Sequence, residues 1–585
     1  MKSIVTPFNI VLLLLSFFTA FRLNAQLFTS PDHAMRLNEN TEVSSWEEIY
    51  LQIDREKYIA GENIWFSIYT SDRKTGKLSA KSVVAYVELL NPWNKPVIQT
   101  RFQLSGGRGE GNFLLPDSIS SGIYTVRAYT NWIKNFLPYN CFSFDINVYN
   151  PFKGSYFWRK VDSAVSSDIR LISLPNKNES TVNLRADTIY GRREKVSLKI
   201  GISNNKADQS GITEMSISVT PADVSASCRW INDYMIPGTD SKQYRFESDG
   251  HYLSGKIKYR RSNVSDPSDF LYMSVQGKVA EFKYAVIDTA GHFTFVLPLD
   301  YKLKNLILQP DHADNNMILE IEPSFSWILP ESHTYKETFN NSRLDAFSGL
   351  SFNYQAVKIY GTRLKKEIVT NDNSNLKKRR FYGIPEMEIF LDDYIRLPVM
   401  QEVFFELVPG VLLRSIKSGY DIKIVNPLTG NYYIEPPLIM IDGVIINDLT
   451  VLADLNPDIV EKIEVVKTPY LIGDLILHGI VNVITRSGDF SNITMPDYAV
   501  VLPYRVVEKP DIFVAPDYTD KQNSLSRIPD LRNTLYWNPS VKTGRNGEAE
   551  IEFWTSDLPG TYTINIQGIS ATGEKVSLNK SFMVR

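Results

Sequence analysis

The sequence predicts a mainly β protein, a series of β-sandwiches interrupted by one small α/β unit. Three observations predict it. Short runs of alternating apolar and polar residues recur along the 585 residues. Thirty-one Gly and thirty Pro punctuate those runs every ten residues or so, a rhythm of strands and turns. One segment, 385–490, instead mixes helical spacing with near-continuous apolar runs.

The bulk properties fit folded domains. Apolar residues make up 43% and charged residues 22%, the proportions of globular protein rather than of disorder or membrane spans. The net charge of −3 is well mixed, which excludes the strongly basic footprint of a nucleic-acid partner. Lys2 followed by the apolar run Ile10–Phe18 and by Leu23-Asn24-Ala25 predicts a signal peptide over 1–25, cut between Ala25 and Gln26. Export would permit disulfides, but Cys141 and Cys228 fall in different expected domains, so two separate buried thiols are expected.

Residues 45–150 make the first expected sandwich. Ile49, Leu51 and Ile53 alternate with Tyr50, Gln52 and Asp54, as do Ile64, Phe66 and Ile68 with their neighbours. Val83 to Leu90 is a further strand, and SGIYTVRAY at 121–129 closes the unit with Tyr124, Val126 and Ala128 on one face. The plan recurs. GTYTINI at 560–566 places Tyr562, Ile564 and Ile566 in the same triplet, and Gly291-His292-Phe293-Thr294-Phe295 is a weaker copy. DREKYIAGENIWFSI at 54–68 matches DTIYGRREKVSLKI at 187–200. This self-similarity predicts serial sandwiches over 165–240, 245–330 and 525–585. The polar stretches 331–384 and 491–524 are expected to be linkers, the first carrying the basic run Lys377-Lys378-Arg379-Arg380.

The α/β unit is expected at 385–490. Val399, Met400, Val403, Leu407 and Val408 follow helical spacing up to Pro409-Gly410. Asp442-Gly443 between apolar runs predicts a tight hairpin. Asn456-Pro457 predicts an N-cap with proline in the first turn of a short helix, on which Val460 and Ile463 face inward before Val465 opens a strand. Gly479 to Thr485 supplies the last strand.

Two resemblances follow from these residues. PLIMIDG at 437–443, LNPDIVEKIEVVK at 455–467 and GIVNVIT at 479–485 resemble, in order, the blocks of the plug domain of TonB-dependent receptors. On that resemblance Asp442, Gly443, Asn456, Pro457, Glu464, Gly479 and Asn482 are the motif candidates. The chain departs from the family in carrying about a hundred residues after Thr485, where a barrel large enough for a plug needs roughly twenty strands of about ten residues each. DREKYIAGENIWFSIY at 54–69, with SGIYTVRAY, resembles the second macroglobulin-like domain of α2-macroglobulin-type proteins, an immunoglobulin-like sandwich. The thioester of protease-trapping members is missing, since Phe142 follows Cys141 and Arg229 follows Cys228.

Chemistry-bearing motifs are sparse. The six His are scattered without zinc spacing, and Asp311-His312-Ala313-Asp314 reads as a polar loop. Gly106, Gly107, Gly109 and Gly111 read as a β turn rather than a phosphate cradle, because no Lys-Ser/Thr follows. Asp392-Asp393 on a strand would point to opposite faces. No cofactor, metal or catalytic constellation is therefore expected. The resemblances imply a non-catalytic accessory protein, peripheral at the periplasmic face of the outer membrane. Its plug-like unit would dock on or gate a separate outer-membrane β-barrel protein, while the sandwiches act as binding or scaffold modules. Aromatics such as Trp132 and Trp554 add a peptide or glycan as a ligand class. The alternatives are a cell-surface binding or adhesion protein with a vestigial plug, and a hydrolase with a distributed site.

Overall fold

The computed structural model describes residues 46–138, 140–153, 156–160, 169–173, 179–203, 213–226, 233–237, 244–259, 269–311, 317–329, 333–337, 341–360, 379–490, 495–570 and 572–585. The expected cleavage site Ala25/Gln26, Cys228, His312, Lys377 and Lys378 lie outside these residues. The protein is mainly β, built of several sheets, and its units are nested rather than strung in series.

In the first sandwich, a sheet of Glu47–Ile53, Asn63–Asp72 and Arg108–Leu114 faces a sheet ordered Lys57–Ile59, Phe142–Tyr149, Ser121–Tyr129, Val84–Leu90, Pro96–Gln103. Phe66 fills the space between them, its ring 5.2 Å from Phe102 and 5.1 Å from Phe113. Gly111 is where that ring passes the backbone: a Cβ there would meet Phe66 at 2.5 Å. Glu47–Ile53, expected to be half-buried, is buried at every position. Its outward side is covered by the second sandwich, where Gln52 donates to the Asn565 carbonyl at 3.1 Å. Cys141 is a buried thiol of this core, pushed up to about 11 by burial.

The second sandwich corrects the expected domain division. Residues 165–240 and 525–585 are not two sandwiches, because their strands, apart from the separate pair Ile169–Ser173 and Asp233–Pro237, share one eight-stranded sheet. Glu214–Pro221 pairs with both Tyr536–Lys542 and Gly560–Ile569, and Lys195–Ser203 pairs with Glu548–Trp554. One core joins Val196, Leu198 and Ile217 to Ile551, Ile564 and Phe582. Neither segment can bury its apolar face without the other.

The internal repeat has a physical basis. Tyr58 Oη accepts the Arg55 amide at 3.1 Å and Tyr190 Oη accepts the Asp187 amide at 2.9 Å. Three residues back from each turn glutamate lies its amide partner: Glu62 accepts from Ile59, Glu194 from Gly191. Each turn leads a short strand, Lys57–Ile59 or Ile189–Tyr190, into parallel pairing with Phe142–Tyr149 or Lys575–Val584. Tyr124 and Tyr562 then repeat a tyrosine corner, donating to the carbonyls of Ser120 (2.8 Å) and Leu558 (3.0 Å), each four residues upstream.

The third sandwich is threaded between the two halves of the second. His251–Tyr259, His292–Leu297 and Met317–Ile321 face a sheet ordered Glu281–Val286, Phe270–Val275, Lys304–Pro310, Val500–Tyr504. Its last strand lies in the stretch expected to be the linker 491–524. Pro503 sits there on an edge strand, where a missing N–H costs least. The other expected linker, 331–384, holds the strand His333–Glu337 and the helix Asn341–Tyr360. Phe347 and Leu350 of that helix pack on Ile59 and Val224. The same helix exposes Phe352, Ile359 and Tyr360, so its apolar residues fall on no single face and give no clear periodicity in sequence.

Candidate functional site

The α/β unit sits inside the third sandwich's chain, between Met317–Ile321 and Val500–Tyr504. Its sheet runs Met387–Phe390, Val460–Val466, Ile480–Thr485, Leu438–Ile441, Val444–Ile445. Both faces are buried, which explains the continuous apolar runs of the three motif blocks. Ile439, Ile441, Ile463, Val465, Val481 and Val483 face the helix Met400–Leu407 through Val403 and Phe404. The alternate residues Leu438, Met440, Val466 and Ile480 face the third sandwich through Tyr272, Ala280 and Phe282. The short helix expected before Val465 is a single 3-10 turn, Pro457–Ile459, and the strand begins at Val460.

The structure brings five of the motif candidates into this sheet or its turns. Asp442 and Gly443 form the two-residue hairpin loop, with φ of +47° and +77°. The buried Asp442 carboxylate accepts the Thr485 amide (2.7 Å), the Thr485 hydroxyl (2.6 Å) and the Phe490 amide (3.0 Å), tying two crossing segments together. Gly443 is pressed on the third sandwich, where a Cβ would lie 2.8 Å from the Val275 carbonyl oxygen. The Asp442 carbonyl accepts the Gly277 amide across the same contact at 2.9 Å.

Glu464 and Asn482 are cross-strand partners, and Glu388 stands opposite Glu464 on the other side. Two facing carboxylates repel unless cations sit between them. Arg380 reaches Glu464 at 2.5 Å and Glu388 at 2.7 Å, while Lys462 reaches them at 2.6 and 3.2 Å. Burial would raise the Glu388 carboxyl, but Lys462 and Arg380 hold it below its usual range. The Tyr382 hydroxyl donates to Glu464 at 2.5 Å and accepts from Asn482 Nδ2 at 3.0 Å. Burial, then the hydrogen bond to Glu464, raises the Tyr382 phenol far above its ordinary value. The row is a satisfied network, buried at Glu464, Asn482 and Tyr382 and open to solvent at Glu388, that sets strand register and seals the seam with the sandwich. Tyr382 is not marked in the sequence because it lies in the stretch assigned to a linker, where Arg380 stands out only as part of a basic run.

Gly479 lies at the opposite end of the sheet, with φ +95°. Its carbonyl accepts the Leu438 amide at 3.0 Å. Asn456 caps the 3-10 turn by accepting the Asp458 amide at 3.0 Å, with Pro457 after it. Beside it opens a groove of about 220 Å³ floored by Leu391, Val403, Leu407 and Pro457 and edged by Asp392 and Arg486. Asp392 lies on a 3-10 turn rather than a strand and pairs bidentately with Arg486 at 2.7 and 2.8 Å. Trp132, offered as a glycan contact, is buried and stacked on Phe246 at 4.4 Å.

The strand register places three connections at the Gly479 end: 384–386, 425–437 and 467–479. They are tied together, since Thr468 donates to Glu386 at 2.9 Å and Tyr433 to the Lys467 carbonyl at 3.0 Å. On them Ile384 and Ile434 are more than 90% exposed, and Leu428, Tyr432, Leu471 and Ile476 are also exposed. The unit thus buries its motif turn inward and turns an apolar crown outward.

The fold and this unit define a class, a nested multi-sandwich β protein carrying an embedded α/β unit. No family model and no curated protein matches the sequence. Among solved structures, the chain is similar to trypsin-activated alpha-2-macroglobulin from Escherichia coli, at 9% identity over 92% of this chain and 42% of that one, TM-score 0.24. It is likewise similar to a mutant Salmonella alpha-2-macroglobulin, at 11% identity over 92% and 40%, TM-score 0.24. The chain spans less than half the length of the structures it matches. The fold class stands on the strand topology above.

Proposed function

We propose that the chain is an exported, non-catalytic accessory protein at the periplasmic face of the outer membrane. In this reading its plug-like α/β unit docks on or gates a separate β-barrel protein, and the sandwiches serve as scaffold and as binding modules. The observation that carries the reading is the crown of Ile384, Leu428, Tyr432, Ile434, Leu471 and Ile476, exposed at one end of the unit. Exposed large aliphatics grouped on tied loops mark an interaction surface more often than a solvated one. The three motif blocks add the resemblance to receptor plugs. Pro96–Gln103 lies at the end of its sheet, and before Arg101, whose carbonyl accepts the Glu508 amide, it offers an edge to which a partner peptide can add a strand.

The test is co-purification of the tagged protein from gently solubilised membranes, beside an Ile384→Ser/Ile434→Ser/Leu471→Ser variant. A β-barrel protein recovered with the parent and lost with the variant is expected. Recovery of the parent without any barrel protein would count against the reading.

A further inference from the structure

The first and third sandwiches meet at a joint built of charge and hydrogen bonds. Arg101 of the first sandwich donates to the carbonyls of Val506 (2.7 Å) and Arg505 (2.5 Å). Arg127 reaches those of Ser326 (2.9 Å) and Ile328 (2.8 Å), and Lys134 reaches that of Ser324 (2.6 Å). Among the described residues the third sandwich adds Leu299 and Phe325 as flanking apolar residues on the first sandwich's core, and Phe246 stacks on Trp132 at 4.4 Å.

At the centre of this joint lies one buried histidine. His251 Nδ1 is 2.9 Å from Glu247 Oε1, which also accepts the Tyr252 amide (2.8 Å) and the Tyr86 hydroxyl (2.9 Å). The proton between them therefore sits on Nδ1, and a neutral ring leaves Nε2 as an acceptor. Nε2 meets the Tyr504 hydroxyl at 2.5 Å. That hydroxyl oxygen also accepts from Arg101 Nη1 at 2.9 Å and has Ser324 Oγ at 3.1 Å. The groups facing the ring are Glu247 and Tyr504 from the third sandwich, and Tyr86, Arg101 and Lys134 from the first. The charges acting on the ring are thus the cations Arg101 and Lys134 and the carboxylate of Glu247, with Glu88 and Glu322 acting on Lys134 behind them. A proton on Nε2 would add a third cation and require the Tyr504 hydroxyl to turn from the ring to Ser324.

The geometry points to an acid-released joint: protonation of His251 undocks the first sandwich from the third, which carries the α/β unit. Burial, opposed by Glu247, holds the His251 imidazole below its ordinary value. The released state then binds the proton more readily than the docked one, so docking weakens as pH falls below about 6.5. Lys134, pushed down to about 8 by burial, already carries its proton below that value and adds no change in the acid window.

Small-angle scattering of the mature chain between pH 7.5 and 5 tests this. A reversible rise in radius of gyration is expected for the parent, and a flat profile for His251→Gln. Ser324→Ala removes the group that would receive the turned Tyr504 hydroxyl, so its midpoint should move to higher pH; this arm stands even where the first variant does not fold. No expansion in the parent, an unchanged midpoint in Ser324→Ala, or the parent's profile in His251→Gln would each overturn the inference. Barrel co-purification at pH 7.5 is independent of all three results.

Discussion

Glu464 is a carboxylate at the centre of a β-sheet with no measurable access to solvent, held by Arg380, Lys462 and Tyr382. Removing one member of such a set strands the others, at a cost of about 3 kcal/mol. Glu464→Ala should therefore lower the urea midpoint clearly more than Tyr382→Phe, which deletes one hydroxyl and costs about 1 kcal/mol. Equal midpoints would show that the network is solvated. Lys134 makes a second prediction at this scale. Its side chain is buried and its ammonium pushed down to about 8 from 10.5, so the folded state disfavours its proton. The unfolded chain binds that proton more tightly, so stability should rise as pH climbs from 8 to 10.5, by at most about 3 kcal/mol. Lys134→Met should flatten that rise in chemical denaturation at pH 8 and pH 10. The sequence could name Glu464 and Asn482 as motif residues only through the resemblance to receptor plugs. It could not reveal their partner Tyr382, since nothing local marks a linker tyrosine as buried.

Elements were legible wherever local chemistry sets them. The Asp442-Gly443 pair carries the positive φ values that a two-residue hairpin needs, and the sequence predicts that turn. Gly443 shows what was not legible: its lost Cβ also makes room for the third sandwich's backbone at 2.8 and 3.0 Å. Gly443→Ala should thus cost both left-handed strain and a clash, about 2 kcal/mol or more. Thermal unfolding should show a drop exceeding that of Gly430→Ala, which has positive φ and open space around it. Equal drops would mean that the seam is not packed. The helix Asn341–Tyr360 was hidden for a different reason: besides buried Phe347 and Leu350 it exposes Phe352, Ile359 and Tyr360, so its apolar residues mark no single face.

At the scale of the molecule, sequence repeats identify copies of a sandwich but carry no information on which copies are interrupted. Tyr124 and Tyr562 signal two corners correctly, yet Tyr562 belongs with strands more than three hundred residues upstream. Such pairings are long-range contacts, invisible to periodicity, and closing so large a loop costs little more entropy than closing a small one. The second sandwich is therefore stable only when both flanks of the insertion are present. A fragment of 165–240 exposes the apolar faces of Lys195–Ser203 and Glu214–Pro221, and a fragment of 525–585 exposes those of Gly560–Ile569 and Lys575–Val584. Expressed singly, each should lack a cooperative unfolding transition. Joined by a short flexible linker in place of 241–524, they should recover the native strand pairing and a single transition by circular dichroism. Cooperative unfolding of 525–585 alone would restore the serial arrangement, since that segment would then close its own core without Met215, Ile217 and Val219.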